Sequence, residues 1–579
     1  MKLFHVELDR GSGREVVCGL LKLAQRAAIN GGRSTQYHYE RDRWHASFRP
    51  TLPMNIQRRI RTLLLTLLLA IWARPVSAIG LEEATVADLQ SAYLSGETSV
   101  HDVVAQYLQR IEAYDKRGPY LNSLINVNPK ALEEADKLDA ALAANGKLVG
   151  PLHGIPVIVK DCIDVTGMPM TAGFQGWKNY IPPTDAVLIA RIKAAGGIIL
   201  AKSSLSEFTK GGADNINSVL GGFARNPYNT AHATGGSSGG TGASIAANFG
   251  TLGIGTDTMG SVRNPSSFNS LVGIRTTVGL VPRIGMTPNS SLRDTVGPMT
   301  RTVTDLAKLL DVMAGPDAAD AVSQKSEGHI PKTYTASLKK DGLKGARIGV
   351  LRDAFMERFS DPQILAQFEV VIAKLKAAGA EIVDPFVVPE FKTLPRPPQT
   401  AARFKDDMTK FLALHPGIPY PSVAEIAKAK LVHPLHQPFW DEAAVALPVD
   451  QDPATIKGMK DEDHWREVFL AAMDAGKIDA IITPTNAQPP VINGDRNTQK
   501  GSNPRPGGGG GGGSTTFIGS ALQWPAISVP GGFVDGLPIG LLIMGRPWTE
   551  PMLIQYAYAF EQATHYRRPP PTVPPLGPL

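Results

Sequence analysis

The chain has 579 residues, 43% hydrophobic and 19% charged, with 58 glycines and 46 prolines, a composition that fits a globular protein with a large core and excludes a disordered or fibrous one. The formal charge of +6 is unevenly placed: residues 1–78 hold 13 Lys/Arg against 5 Asp/Glu, so the rest of the chain carries a net of −2. No Lys/Arg cluster with interleaved aromatics occurs in that remainder, which argues against nucleic acid as a partner.

The N-terminal stretch accounts for the charge. From Met54 the chain reads Met-Asn-Ile-Gln-Arg-Arg-Ile-Arg, then an apolar run from Leu63 to Trp72, then Val76-Ser77-Ala78. These are the basic, apolar and small-residue parts of a secretory signal peptide. The run is about half the roughly 20 residues of a membrane-spanning helix, so stable membrane insertion is not expected. The reading is an upstream extension over 1–53 that lies outside the mature protein, a signal peptide over 54–78 cleaved after Ala78, and a working domain over 79–579 that is periplasmic or secreted. Loss of residues 1–78 would remove Cys18 and leave Cys162 without a disulfide partner. Neither cysteine has metal-ligand spacing and the 12 histidines contain no His-Glu-x-x-His, so no metal or other cofactor is expected.

In the domain itself, Thr85, Ser99 and Asn128 read as N-caps of helices over 86–95, 100–114 and 129–144, with Pro129 in a first turn. Leu124 to Val127 reads as a strand between the second and third. Ile155 to Val159 is a buried strand, 185–195 a helix ending at Gly196-Gly197, and 198–201 the next strand. That alternation predicts an α/β fold, a single large domain with a mixed central sheet covered by helices on both faces. Residues 330–480 are more helical and charged, and are expected to cap a site. Pro504-Arg505-Pro506 and the glycines 507–513 read as a surface loop, 502–514, inside the domain. The strand-like Pro525 to Pro530 after it is too short a remainder to form a domain of its own.

The densest chemical signal lies between residues 234 and 266. Gly235-Gly236-Ser237-Ser238-Gly239-Gly240 precedes a small-residue, helix-like segment to Asn248. The strand-like Leu252-Gly253-Ile254-Gly255 follows, then Thr256-Asp257-Thr258-Met259-Gly260-Ser261-Val262-Arg263-Asn264-Pro265. A phosphate-binding loop would want a Lys after its glycines, and none is there. Gly235 to Gly239 does match the Gly-x-Ser-x-Gly of a nucleophile elbow. That elbow should follow an apolar strand, whereas 226–234 is polar, and no downstream histidine (His329, His415, His433, His436, His464 or His565) sits in a clear triad setting. A plain glycine-rich turn with surface serines fits the segment equally well when it is read alone.

The stretch from Gly235 to Ser266 resembles the signature of the amidase signature family of serine hydrolases at every constrained position except Met259, where the family has a small residue. Gly154-Ile155-Pro156-Val157-Ile158-Val159-Lys160-Asp161 is similar to its catalytic lysine strand. Gly273 to Val281 and Gly536 to Leu541 resemble its later landmarks. The resemblance implies Lys160 as base, Ser237 as relay on a cis peptide, and Ser261 as nucleophile. It also implies an oxyanion hole from the backbone N–H groups of Thr258, Met259, Gly260 and Ser261, with Ser238, Asp257 and Arg263 as supporting residues. The chemistry is coherent: a serine needs a base to become nucleophilic, and a lysine with an ordinary pKa of about 10.4 serves only if burial lowers it. At Met259 the backbone donor is kept. A positive φ there would be strained; the favoured alternative is a side chain that narrows the acyl pocket. Cys162, two residues beyond Lys160, reads as packing.

The implied activity is hydrolysis of an amide through an acyl-enzyme on Ser261, with a small-molecule amide or related acyl compound as partner. A peptide C-terminal amidase and a broad carbamate, ester or aryl-amide hydrolase both fit. The family also contains the amidotransferase subunit that feeds ammonia to misacylated tRNA; the signal peptide and near-neutral body weigh against it. A catalytically dead binding protein is disfavoured by the intact Lys160, Ser237 and Ser261.

Overall fold

Thr85 opens helix α1 (Val86–Ser95) with a capping box, its hydroxyl accepting from the Asp88 N–H while the Asp88 carboxylate accepts from the Thr85 N–H. Ser99 caps α2 (Val100–Tyr114) through the Asp102 N–H. The computed structural model describes residues 80–210, 218–355, 360–492 and 514–576; the expected upstream extension, signal peptide and glycine run fall outside them. After β1 (Leu124–Val127), helix α3 (Ala131–Asn145) begins later than its sequence suggests. Asn128 accepts from the Lys130 N–H at 2.9 Å, a local turn that places Pro129 before the helix.

Strand β2 (Pro156–Lys160), helix α4 (Val187–Ala194) and strand β3 (Ile198–Ser203) form a crossover, with Gly196 at φ 89° closing the turn after α4. A hairpin of β4 (Arg225–Asn226) and β5 (Asn229–Ala233) leads to α5 (Gly239–Ala246). Then come β6 (Leu252–Asp257), α6 (Arg263–Phe268), β7 (Val272–Arg275), β8 (Thr295–Thr300) and α7 (Val303–Met313). The 330–480 region is helical as expected, with α8 (Pro362–Ala377), α9 (Ala401–Ala413), α10 (Val423–Ala429), α11 (Gln437–Val445) and α12 (Pro453–Gly476). It also contains two short strands, β9 (Arg347–Val350) and β10 (Glu381–Val383), that continue the main sheet, so this region is not purely a cap. The chain ends with β11 (Ala480–Pro484), α13 (Phe517–Ala521), β12 (Ala526–Val534), β13 (Leu537–Gly545) and α14 (Glu550–Thr564).

The main sheet has 11 strands in the order β1-β3-β2-β6-β8-β7-β12-β13-β11-β9-β10. β2 is parallel to both β3 and β6, while β6 to β11 are joined by antiparallel pairs. Every residue of β2, β3, β6, β7 and β8 is buried, which accounts for their continuous apolar reading. Helices α5 and α6 pack on each other and on the middle strands, and α7, α8 and α14 form a second group over the same sheet, so both faces are covered. The small residues of α5 allow it to sit close: a Cβ on Gly240 would lie 2.3 Å from the Ser204 carbonyl and 2.5 Å from that of Ser123.

Candidate active site

The site forms where β2 and β6 end side by side. Lys160 is the last residue of β2, and its side chain is fully buried. Its Nζ lies 2.7 Å from the Ser237 Oγ and 2.7 Å from the Thr256 Oγ1, both of which accept from it. Burial lowers the Lys160 pKa to about 8, against the opposing fields of Cys162, Asp257 and Asp294. Ser237 is 2% exposed and follows the glycines that join β5 to α5; its peptide bond with Gly236 is cis.

The turn from Thr258 to Ser261 joins β6 to α6. Over residues 251–270 only Met259 and Ser261 are not buried, so these are the two residues of the segment that solvent reaches. Among the described residues no hydrogen bond joins the Ser237 and Ser261 hydroxyls. The two segments are tied instead by the Ser238 N–H, which donates to the Ser261 carbonyl at 3.2 Å, while the Ser238 hydroxyl bonds to the Thr256 backbone.

Asp257 organises this turn. Its carboxylate accepts from the N–H groups of Gly260 (2.9 Å) and Val262 (3.1 Å), from both ends of the Arg263 fork, and from Arg275. Burial works to raise its pKa, but the Arg263 and Arg275 guanidiniums and these donors hold it well below the usual carboxylate range. Gly260 therefore differs from its expected role: its N–H is committed to Asp257, which leaves Thr258, Met259 and Ser261 as the candidate oxyanion donors. The positive φ of the turn also falls on Gly260, at 116°, and not on Met259. A Cβ at Gly260 would come within 2.0 Å of the Thr516 Oγ1, which donates to the Met259 carbonyl. Backbone strain at Met259 is thus removed as a concern.

Four residues of this neighbourhood were given no role by the sequence reading. Thr256 holds Lys160. Arg275 donates to the Asp257 carbonyl at 2.7 Å as well as to its carboxylate. Asp294 accepts from the Thr258 hydroxyl at 2.5 Å, and Arg293 reaches the Met259 Sδ at 3.4 Å. Arg275 lay in a recognisable landmark, but its partner Asp257 stands at the end of β6, with β8 between that strand and β7, so the pairing has no local signature in the sequence. Cys162 is buried, with its Sγ 3.8 Å from the Thr256 Oγ1. His415 is occupied elsewhere, bonded to Asp164 and to the Phe411 carbonyl.

Residues 102–554 match the amidase family. Peptide amidase from Stenotrophomonas maltophilia is similar at 35% identity and a TM-score of 0.76, over 86% of this chain and 99% of that one. An amidase family protein from Bacillus anthracis is similar at 28% identity and a TM-score of 0.73, over 85% and 92%. Among curated sequences, a glutamyl-tRNA(Gln) amidotransferase subunit of Moorella thermoacetica is 33% identical over 82% of this chain and 95% of its own. With the family matched over most of its length and the α/β architecture shared, the chain belongs to the amidase signature family.

Proposed function

We propose that this enzyme is a self-sufficient serine amidase in which Ser261 is acylated by an amide substrate. The observation that carries the reading is the buried Lys160 amine, 2.7 Å from the Ser237 Oγ, beside a turn whose Ser261 side chain is accessible. As a neutral amine Lys160 donates to Thr256 and accepts the Ser237 proton, while Ser237 accepts that of Ser261. The Ser261 Oγ attacks the amide carbon, and the backbone N–H groups of Thr258, Met259 and Ser261 are the donors that receive the oxyanion. On collapse the C–N bond breaks, the relay returns the proton to the departing amine or ammonia, and water then hydrolyses the acyl ester by the same route.

The likeness to peptide amidase supports amides of peptides or related small acyl compounds as substrates, and the basic-apolar-small pattern before Ile79 supports action outside the cytoplasm. The relatives named as amidotransferase subunits carry the alternative, a subunit that releases ammonia from glutamine only with its partners. Purified protein without partners is expected to hydrolyse a peptide amide or anilide, and Ser261→Ala to lose at least about 10³-fold of that activity. Activity surviving in Ser261→Ala would overturn the mechanism. Loss in Ser237→Ala with an active Ser261→Ala would establish the elbow reading in its place.

A further inference from the structure

Beside the nucleophile turn lies a pocket walled by Asn289, Ser290, Arg293, Arg403, Thr455 and Glu462. Two guanidiniums face it with donors left over. Arg293, with 3% of its side chain exposed, directs Nε to Glu462 and Nη2 to Glu462 and the Pro398 carbonyl, while its Nη1 has only the Met259 Sδ. Arg403 places Nη2 3.6 Å from the Met459 Sδ, and its Nε is buried without a hydrogen-bond acceptor. A thioether is a weak acceptor, so the part-buried Arg293 Nη1 and the buried Arg403 Nε keep donor capacity for an oxygen ligand, while the Arg403 Nη2 contact is exposed to solvent.

The acids around the pocket do not supply that partner. Glu462 is filled by Arg293 and by Gln523 at 2.8 Å. Asp406 lies 3.8 Å from Arg403 but 2.7 Å from Lys410. Asp294 is taken by the Thr258 hydroxyl and the Asn289 and Ser290 N–H groups, and Asp407 by the Ser291 N–H. Two guanidiniums therefore share the pocket with one fully bonded carboxylate.

We propose that this pocket binds a carboxylate on the acyl side of the substrate, held between Arg293 and Arg403, so that the preferred substrates are monoamides of dicarboxylic acids or acyl groups with an equivalent terminal carboxylate. A carboxylate matches the planar fork of arginine, which a neutral chain end does not. Arg293 joins the two parts of the site: one side of it forms the pocket wall, and its Nη1 touches Met259, two residues from Ser261. The proposal rests on Ser261 carrying the acyl group, and its test separates the two.

The probes are glutaric acid mono-p-nitroanilide and pentanoyl p-nitroanilide, which differ by a carboxylate in place of a terminal methyl. Wild-type kcat/KM is expected to favour the glutaryl compound by about tenfold or more, and Arg403→Gln and Arg293→Lys each to lower that ratio by about tenfold. Arg293→Lys keeps a cation for Glu462, and Arg403→Gln lies outside the buried pair, so at least one variant is expected to fold. A wild-type ratio at or below one, or a ratio unchanged in both folded variants, overturns the proposal. Calorimetric binding of glutaramate and pentanamide, which differ by a carboxylate in place of a terminal methyl, to Ser261→Ala reads the pocket without turnover. Tighter glutaramate binding that is lost on adding Arg403→Gln supports it whatever the catalytic serine proves to be, and equal binding of the two amides, or none, refutes it.

Discussion

Lys160 bonds to two hydroxyls, those of Ser237 and Thr256, and burial is the largest influence on its charge. With a pKa of about 8, roughly a tenth of the amine is neutral at pH 7. The expected pH profile of kcat/KM therefore rises about tenfold per unit up to pH 8 and flattens above it, because the base works only when deprotonated. The sign for stability agrees: the unfolded lysine keeps its proton up to 10.5 and the folded one only to about 8, so across that window the unfolded state holds more protons and this group's contribution to stability rises with pH. Initial rates on an anilide between pH 6 and 10 check the profile; a rise that continues through pH 10 with no inflection near 8 would mean that Lys160 is not desolvated in solution. At this scale the sequence was most informative where residues lie in short recognisable segments, Lys160 in one and Ser237 and Ser261 in another. It was silent on Thr256, Arg275 and Arg293, whose roles depend on strand pairing and on contacts far along the chain.

Local signals also set how well each element could be read. Helices α1 and α2 match their expected spans because Thr85 and Ser99 mark their starts in the sequence itself. Strands β9 and β10, of four and three residues, were hidden in a charged, helix-rich region because segments that short show no period. Helix α5 shows how composition reaches the site through packing. Its residues are all small or apolar and all buried, and Gly240 faces the Ser123 and Ser204 carbonyls at a distance that leaves no room for a methyl group. Gly240→Ala is expected to push the start of α5 away from β3 and to shift Ser237 and Ser238, which directly precede the helix. Overpacking of this kind costs about 1–3 kcal/mol. Urea unfolding should show that loss, together with a fall in kcat larger than the change in KM. Wild-type stability and turnover in Gly240→Ala would show that α5 does not set the position of the relay loop.

Across the whole domain, arginines tie the two ends of the described chain to the layer that carries the site. Arg110 in α2 donates to the carbonyls of Ala247, Val573 and Pro574 and pairs with Glu82. Arg567, just beyond α14, pairs with Glu83 and donates to the carbonyls of Ser270 and Ala246, so the C-terminal segment is held against the ends of both α5 and the turn after α6. None of these bonds touches Lys160, Ser237 or Ser261, and their effect on catalysis is expected to pass through stability alone. Arg567→Ala removes charge-assisted bonds from a partly buried network, a loss of about 1.5–3 kcal/mol. The urea midpoint should fall with an unchanged slope, while kcat of the folded enzyme stays near wild type. The defect should also depend on pH. Burial tends to raise the Glu83 pKa, but Arg567 holds it below 4.5, so the pair stabilises the fold above that value and the contribution fades as pH falls through the lowered one. The stability gap between wild type and Arg567→Ala is therefore expected to be full at pH 7 and to shrink below about pH 4. A gap that stays constant down to pH 3 would assign the arginine's contribution to its carbonyl bonds rather than to the ion pair.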